Sequence, residues 1–80
     1  MSETIIDVRT PAEFQAGNVN GSINIPLQEI EKRIEEVKVL PQPIVLCCAS
    51  GARSGAATQF LMSKGIECTN AGSWFNLLNK

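Results

Sequence analysis

The 80-residue sequence contains no histidine, and this absence excludes several kinds of catalytic site. A Ser–His–Asp triad, a Cys–His pair and a histidine-ligated metal site all require an imidazole. The chain also lacks an apolar run of about 18 residues, so we expect no membrane-spanning helix. Seven basic residues stand against eight acidic ones, and a net charge of −1 argues against nucleic-acid binding through bulk positive charge.

Cysteine is also scarce, and its pattern limits the chemistry further. Three cysteines are an odd number, which excludes a pure disulfide framework, and their spacing makes a poor zinc site. A reducing compartment is the simplest setting for such a chain. The polar, acidic first residues are unlike a secretory signal. We therefore expect a cytoplasmic protein, or a periplasmic one if a signal peptide has been removed.

Apolar strands alternate with amphipathic helices along the whole chain. Strands are predicted over residues 4–8, 22–25, 44–48 and 66–69, and helices over 11–17, 27–37, 54–64 and 74–78. This alternation predicts an α/β fold, with a small parallel sheet and helices on both of its faces. No linker interrupts the chain, so we expect a single domain over residues 1–80.

Two of the predicted helices carry specific signals. Thr10 and Glu13 form a capping box around Pro11, which stands at the first helical position, and Gly17 ends that helix. The next helix is predicted to be continuous, with an apolar stripe at spacings of three and four residues: Leu27, Ile30, Ile34 and Val37.

The most informative segment is the loop that leads from the third strand into the third helix, Cys48-Ala49-Ser50-Gly51-Ala52-Arg53-Ser54. Small residues allow successive N–H groups to turn inward as an anion nest, and the helix N-terminus adds a partial positive charge. Arg53 adds a full charge and is the only charged residue between Val39 and Ser63. This positive setting predicts a lowered pKa for the Cys48 thiol and hence a nucleophilic thiolate.

Sites in parallel sheets lie beyond the carboxyl ends of the strands, which places Asp7, Val8 and Arg9 on the same edge as Cys48. Asp7 and Arg9 are expected to pair with each other or with loop backbone. Ser50 and Ser54 offer hydroxyl donors or cap the helix that follows, and for Ser54 we favour capping.

The other cysteines and the aromatic residues have structural interpretations. Cys47 is expected to point away from Cys48 into the core, because side chains alternate along a strand. Cys68 is also expected in the core, and would act as a resolving thiol only if it were exposed near Cys48. Trp74 and Phe75 are expected to cover the edge of the core.

Three segments and a closing turn resemble the single-domain rhodaneses, in particular the small bacterial phage-shock type. The segments are Asp7–Phe14, Gly21–Pro26 and Ile44–Ser54, and the closing turn is Asn70–Gly72 with Trp74. The resemblance implies a rhodanese-like fold and thiosulfate sulfurtransferase activity, with Cys48 as the persulfide-forming cysteine. Two positions depart from the family: Asn18 stands where many members have histidine, and Ser73 replaces a second glycine.

The resemblance also implies a reaction in two displacements. Cys48 would take the outer sulfur of thiosulfate, release sulfite, and pass the sulfur to cyanide or a thiol. The substrate-binding residues would be Ala49, Ser50, Gly51, Ala52, Arg53 and Ser54. Sulfite leaves without protonation, so the reaction can proceed without a histidine. We expect no metal and no organic cofactor. We expect a monomer whose partners are a small-molecule sulfur donor and a thiol or cyanide acceptor. In a sulfur relay, a thiol-carrier protein would be a further partner.

Three alternatives stay open at this point. Cysteine phosphatases and arsenate reductases separate their cysteine and arginine by five residues, whereas four residues separate Cys48 from Arg53. Non-catalytic rhodanese-like binding modules typically lack the cysteine that is present here. A sulfur-relay protein would use the same Cys48 but take its sulfur from a partner protein, and it is the main alternative.

Overall fold

The computed structural model describes residues 3–78, which form a four-stranded parallel sheet with helices packed on it. The strands are β1 (Thr4–Asp7), β2 (Ile23–Asn24), β3 (Ile44–Cys48) and β4 (Cys68–Ser73), in the order β2-β1-β3-β4. The helices are α1 (Pro11–Ala16), α2 (Leu27–Ile30), α3 (Ile34–Lys38) and α4 (Ala52–Ser63), with a 3₁₀ turn at Trp74–Leu77. The predicted α/β class and parallel sheet are confirmed. Between residues 3 and 78, no helix has the length and apolar character to cross a membrane.

Strand β3 lies at the centre of the sheet and is buried along its whole length. Its side chains alternate between the two faces, as a pleated strand requires. Leu46 and Cys48 belong to the larger core cluster, which also contains buried residues of α2, α3 and α4. Val45 and Cys47 belong to a smaller cluster on the opposite face, against which Trp74 packs. Cys47 therefore points away from Cys48, as predicted.

The predicted continuous helix over residues 27–37 is wrong, because a turn at residues 31–33 separates α2 from α3. Arg33 leaves the helical conformation, with φ −106° and ψ 23°. Its guanidinium group bonds Glu29 on α2 at 3.0 Å and Glu36 on α3 at 3.0 Å. The apolar stripe nevertheless faces the core across the break, since Ile30 and Val37 are both buried.

The fourth strand is longer than predicted and includes the residues assigned to a turn. Backbone pairing with β3 continues to Ser73, and the register shifts between Leu46 and Cys47, which pair with Asn70 and Gly72. One extra residue, Ala71, is accommodated in this β-bulge. Small and polar residues carry no alternating apolar signal, so only the backbone hydrogen bonds define this part of the strand.

A buried ion pair organises the carboxyl edge of the sheet. Arg9 binds the Asp7 carboxylate through Nε and through Nη2, which lies 2.7 Å from Oδ2, and both side chains are almost fully buried. Arg9 Nη2 also donates to the carbonyl of Gly17 at 2.7 Å. The guanidinium carbon lies 4.5 Å from the ring centre of Trp74. The predicted pairing of Asp7 with Arg9 is confirmed, and it joins β1 to the end of α1 and to the 3₁₀ turn.

Replacing Arg9 should destabilise the protein far more than replacing an arginine of a surface ion pair. Arg9→Ala leaves the buried Asp7 carboxylate without a countercharge, which costs about 3–5 kcal/mol of unfolding free energy. Arg33→Ala is the matched control, because its ion pairs are partly open to solvent and, being screened, contribute little to stability. Urea denaturation of both variants measures the difference, and losses of equal size would contradict the role given to the buried pair.

Candidate active site

The site lies where β3 ends and α4 begins, next to the end of β1. Asp7 pairs with Cys47 in the register between β1 and β3, so the carboxyl ends of these strands are adjacent. Gly51 joins the loop to α4 with φ +107°, a left-handed conformation that favours glycine. A Cβ atom at this position would lie 3.2 Å from the Gly72 Cα atom, so the loop also needs glycine for its close approach to β4.

The Cys48 sulfur is surrounded by hydrogen-bond donors from the loop and from the first turn of α4. The Gly51 N–H donates to Sγ at 2.9 Å, and the Ser54 N–H lies 3.4 Å from it. The Ser54 hydroxyl oxygen also lies 3.4 Å from Sγ. These contacts form the predicted anion nest at the start of a helix of 12 residues.

The environment of Cys48 favours its thiolate. Burial raises the pKa of this thiol, but hydrogen bonds from the Ser54 hydroxyl and from the N–H groups of Ser54, Gly51 and Ser50 lower it. The hydrogen bonds outweigh burial, and the pKa falls to about 7. The lowered pKa was predicted from the sequence, although the groups that cause it are backbone and hydroxyl donors.

Arg53 has a partner that the sequence did not predict. Arg53 stands in the first turn of α4, and its Nη1 and Nη2 atoms bind the Glu13 carboxylate at 2.8 and 3.1 Å. This hydrogen bonding lowers the pKa of Glu13 to about 2. Glu13 lies on α1, where it also completes the confirmed capping box with Thr10. The Arg53 charge is therefore paired, and sequence reasoning missed its partner because 40 residues separate the two.

The predicted capping role of Ser54 is also wrong. Helix α4 begins at Ala52, so Gly51 is the cap and Ser54 lies inside the first turn. The buried Ser54 hydroxyl lies 2.6 Å from Asn70 Oδ1 on β4. Asn70 was missed as a site residue. Its place in the closing turn Asn70–Gly72, one of the segments that carry the family resemblance, was the available signal.

The remaining loop residues lie wholly or partly on the surface. Ala49, Ser50 and Ala52 are exposed, and Gly51 is partly exposed. The Ser50 N–H contributes to the lowered pKa of Cys48, whereas the side chain of Ser50 lies on the surface.

The other two thiols are poor nucleophiles. Burial is the main cause of the raised pKa of Cys47, which is about 12. Burial also raises the pKa of Cys68. Cys68 pairs with Ile44, four positions along β3 from Cys48, which corresponds to about 13 Å along the strand. Cys68 is buried, as predicted, and is too distant to act as a resolving thiol without a large rearrangement.

The two aromatic residues of the 3₁₀ turn differ in exposure. Trp74 packs against the smaller core cluster, as predicted. Phe75 stacks on Trp74 with ring centres 4.6 Å apart but remains 62% exposed, so the prediction that it covers the core is wrong.

This geometry stabilises negative charge on the sulfur at position 48. A thiolate held by oriented N–H groups is a nucleophile, and the same donors can stabilise an anion bound in the loop.

Known proteins resemble this chain in both sequence and fold. It is 42% identical over 65 residues to the uncharacterized Bacillus subtilis protein YqhL, covering 81% of this chain and 49% of YqhL. It is 38% identical over 73 residues to Escherichia coli thiosulfate sulfurtransferase PspE, covering 89% of this chain and 70% of PspE. The solved structure of an E. coli rhodanese with anions matches with a TM-score of 0.83 and 36% identity, covering 94% of this chain and 91% of that one.

This chain thus spans about half the length of YqhL and a larger part of PspE. The family model of the rhodanese-like domain matches residues 1–78, and the chain belongs to the rhodanese-like family.

Proposed function

We propose that this chain is a sulfurtransferase that moves the sulfane sulfur of thiosulfate to cyanide or a thiol through a persulfide on Cys48. The observation that carries the proposal is the hydrogen bond from the Gly51 N–H to Sγ at 2.9 Å, in a site where the thiol pKa is about 7. About half of the molecules then carry the nucleophilic thiolate at neutral pH. The similarity to PspE, whose name gives thiosulfate as the donor, supports this choice of substrate.

In the first displacement, the Cys48 thiolate attacks the outer sulfur of thiosulfate. A new S–S bond forms with the electron pair of the thiolate, and the bond between the two thiosulfate sulfurs breaks. Sulfite leaves with that bonding pair, so the total charge of three negatives is the same before and after the step. The persulfide retains one negative charge on its outer sulfur, and the N–H groups of the loop stabilise it there.

In the second displacement, cyanide or a thiolate attacks the outer sulfur of the persulfide. The new bond uses the electron pair of the acceptor, and the S–S bond returns its pair to Cys48 as a thiolate. Thiocyanate or a new persulfide leaves the site. Neither step requires a proton from a side chain, which is consistent with a chain that contains no histidine. We place this chemistry in the cytoplasm, where thiols stay reduced.

A protein-fed sulfur relay is the second candidate, and two observations favour it. The Cys48 residue has no exposed surface, so the loop must move before any donor reaches Sγ. The Arg53 charge is already paired with Glu13, which removes a free cation that would attract the thiosulfate dianion. A partner protein that opens the loop and presents a persulfide would meet both conditions.

Intact-protein mass spectrometry after brief incubation with thiosulfate tests the proposed activity. The wild-type chain should gain about 32 Da, one sulfur atom, and cyanide should remove it as thiocyanate. Cys48→Ser should gain nothing, because it lacks the nucleophile. Cys68→Ser is the matched control and should gain the sulfur normally.

Absence of the adduct on reduced wild-type protein would contradict thiosulfate as the donor. The same measurement with a persulfide-bearing cysteine desulfurase then tests the relay. Loading of Cys48 by that protein alone would establish the second candidate, and loading by neither donor would contradict both.

Alkylation of Cys48 should follow the titration of its thiol. Because the pKa is lowered to about 7, the thiolate forms as pH rises through that value, and the iodoacetamide rate should level off above it. Peptide mass spectrometry assigns the modified residue. Cys47 and Cys68 serve as internal controls and should remain unmodified near pH 7, because burial raises their pKa values. A half-maximal rate near pH 9, the ordinary value for a thiol, would contradict the anion nest.

A further inference from the structure

Asn70 connects Ser54 and Gly51, which both contact the Cys48 sulfur, to Gly72 on its own strand. Its Oδ1 atom lies 2.6 Å from the Ser54 hydroxyl oxygen and accepts the Gly72 N–H at 2.9 Å. Its Nδ2 atom donates to the Gly51 carbonyl at 3.2 Å. Gly55 leaves room for this amide, since a Cβ atom at position 55 would lie 3.3 Å from Nδ2.

The backbone partners determine the orientation of the Asn70 amide. The Gly72 N–H can only donate, so the amide oxygen must face it, and the Gly51 carbonyl can only accept, so the amide nitrogen must face that side. The Ser54 hydroxyl is next to the amide oxygen and must therefore donate its proton to Asn70. In this state Ser54 presents its lone pairs, and no proton, to the Cys48 sulfur.

The Ser54 hydroxyl has one proton and three acceptors within reach. Asn70 Oδ1 lies at 2.6 Å, the Gly51 carbonyl at 3.3 Å and Cys48 Sγ at 3.4 Å. Because Ser54 is fully buried, a hydroxyl without an acceptor would be costly. When Cys48 is a thiol or carries a persulfide, its inner sulfur is neutral and Asn70 is the better acceptor. When Cys48 is a thiolate, the sulfur competes for the same proton.

We propose that Asn70 is a positioning residue for sulfur transfer. Its amide oxygen accepts the hydrogen bond of the Ser54 hydroxyl while the inner Cys48 sulfur is neutral, and the hydroxyl turns to donate to that sulfur when Cys48 is a thiolate. The inference rests on the proposed function of Cys48 and assigns Asn70 a part in it. No covalent bond changes in this exchange, because the hydroxyl turns about its Cβ–Oγ bond. Asn70 therefore competes with the thiolate, and its removal should lower the pKa of Cys48.

The arginines near the site keep their charge while Cys48 titrates, because their ion pairs raise their pKa values. Arg53 of α4 is paired with Glu13 of α1, and Arg9 is paired with Asp7 at the end of β1. The neighbouring Cys47 on β3 has a pKa of about 12 and stays neutral while Cys48 titrates.

Thiolate absorbance in the ultraviolet, titrated against pH, tests the proposal without any sulfur donor. The chain contains no tyrosine to obscure the signal, and the Cys48→Ser titration is subtracted as background. Asn70→Ala should lower the pKa of Cys48 by about half to one unit, the shift that corresponds to the net free energy of one neutral hydrogen bond. Asn70→Asp keeps the oxygen acceptor and adds a negative charge, so it should raise this pKa.

The two variants control for a purely structural role. Both lose the hydrogen bond to the Gly51 carbonyl, so a role limited to bracing the loop would shift the pKa in the same direction in both. Shifts in the same direction would overturn the proposal.

The same Asn70→Ala change in a Ser54→Ala background tests whether Ser54 transmits the effect. Ser54→Ala alone should raise the pKa of Cys48, because a donor to the thiolate is lost. Asn70→Ala should then cause no further decrease, and a decrease of full size in that background would overturn the proposal. Because these titrations need no sulfur donor, failure of thiosulfate to load Cys48 would contradict only the proposed function.

Discussion

The buried ion pair between Asp7 and Arg9 holds the edge of the sheet on which the candidate active site is built. Two buried charges cost several kcal/mol each unless they are paired and hydrogen-bonded. Arg9 meets this requirement through Asp7 and the Gly17 carbonyl, and it packs against Trp74. Asn24 donates to the carbonyls of both Asp7 and Arg9, which adds β2 to the arrangement. Four separate parts of the chain thus meet at one point, beside the end of β3.

The ion pairs of Arg9 and Arg53 give the site its particular electrostatics. Arg53 is bound to Glu13, whose pKa of about 2 keeps this pair ionised throughout the range in which Cys48 titrates. The thiolate is therefore stabilised by oriented N–H groups and by a hydroxyl, which act strongly at short range in a buried site. Cys47 shows how local this effect is, because its side chain points to the other face of β3, where burial raises its pKa to about 12.

Local signals in the sequence predicted much of the fold. The capping box of Thr10 and Glu13, the apolar run of β3 and the alternation of strands with helices depend on residues close together in the chain, and the structure contains all three. Two elements differ most from their prediction. The helix over residues 27–37 breaks at Arg33, whose side chain binds carboxylates three and four residues away on the two sides of the turn. Strand β4 continues through a bulge because its backbone pairs with β3, and this long-range pairing leaves no local signal in the sequence.

The sequence by itself was enough to name Cys48 as the candidate nucleophile and to locate the loop around it. Cys48 ends a buried strand and precedes a glycine-containing loop and a helix start, and this order is enough to predict an anion nest and a lowered pKa. Only the tertiary structure decided which groups act on the sulfur. Arg53 turns to Glu13 on α1, and Asn70 reaches Ser54 from β4. Both contacts join residues that are distant in the chain, and sequence spacing carries no information about which distant side chains the folded sheet brings together.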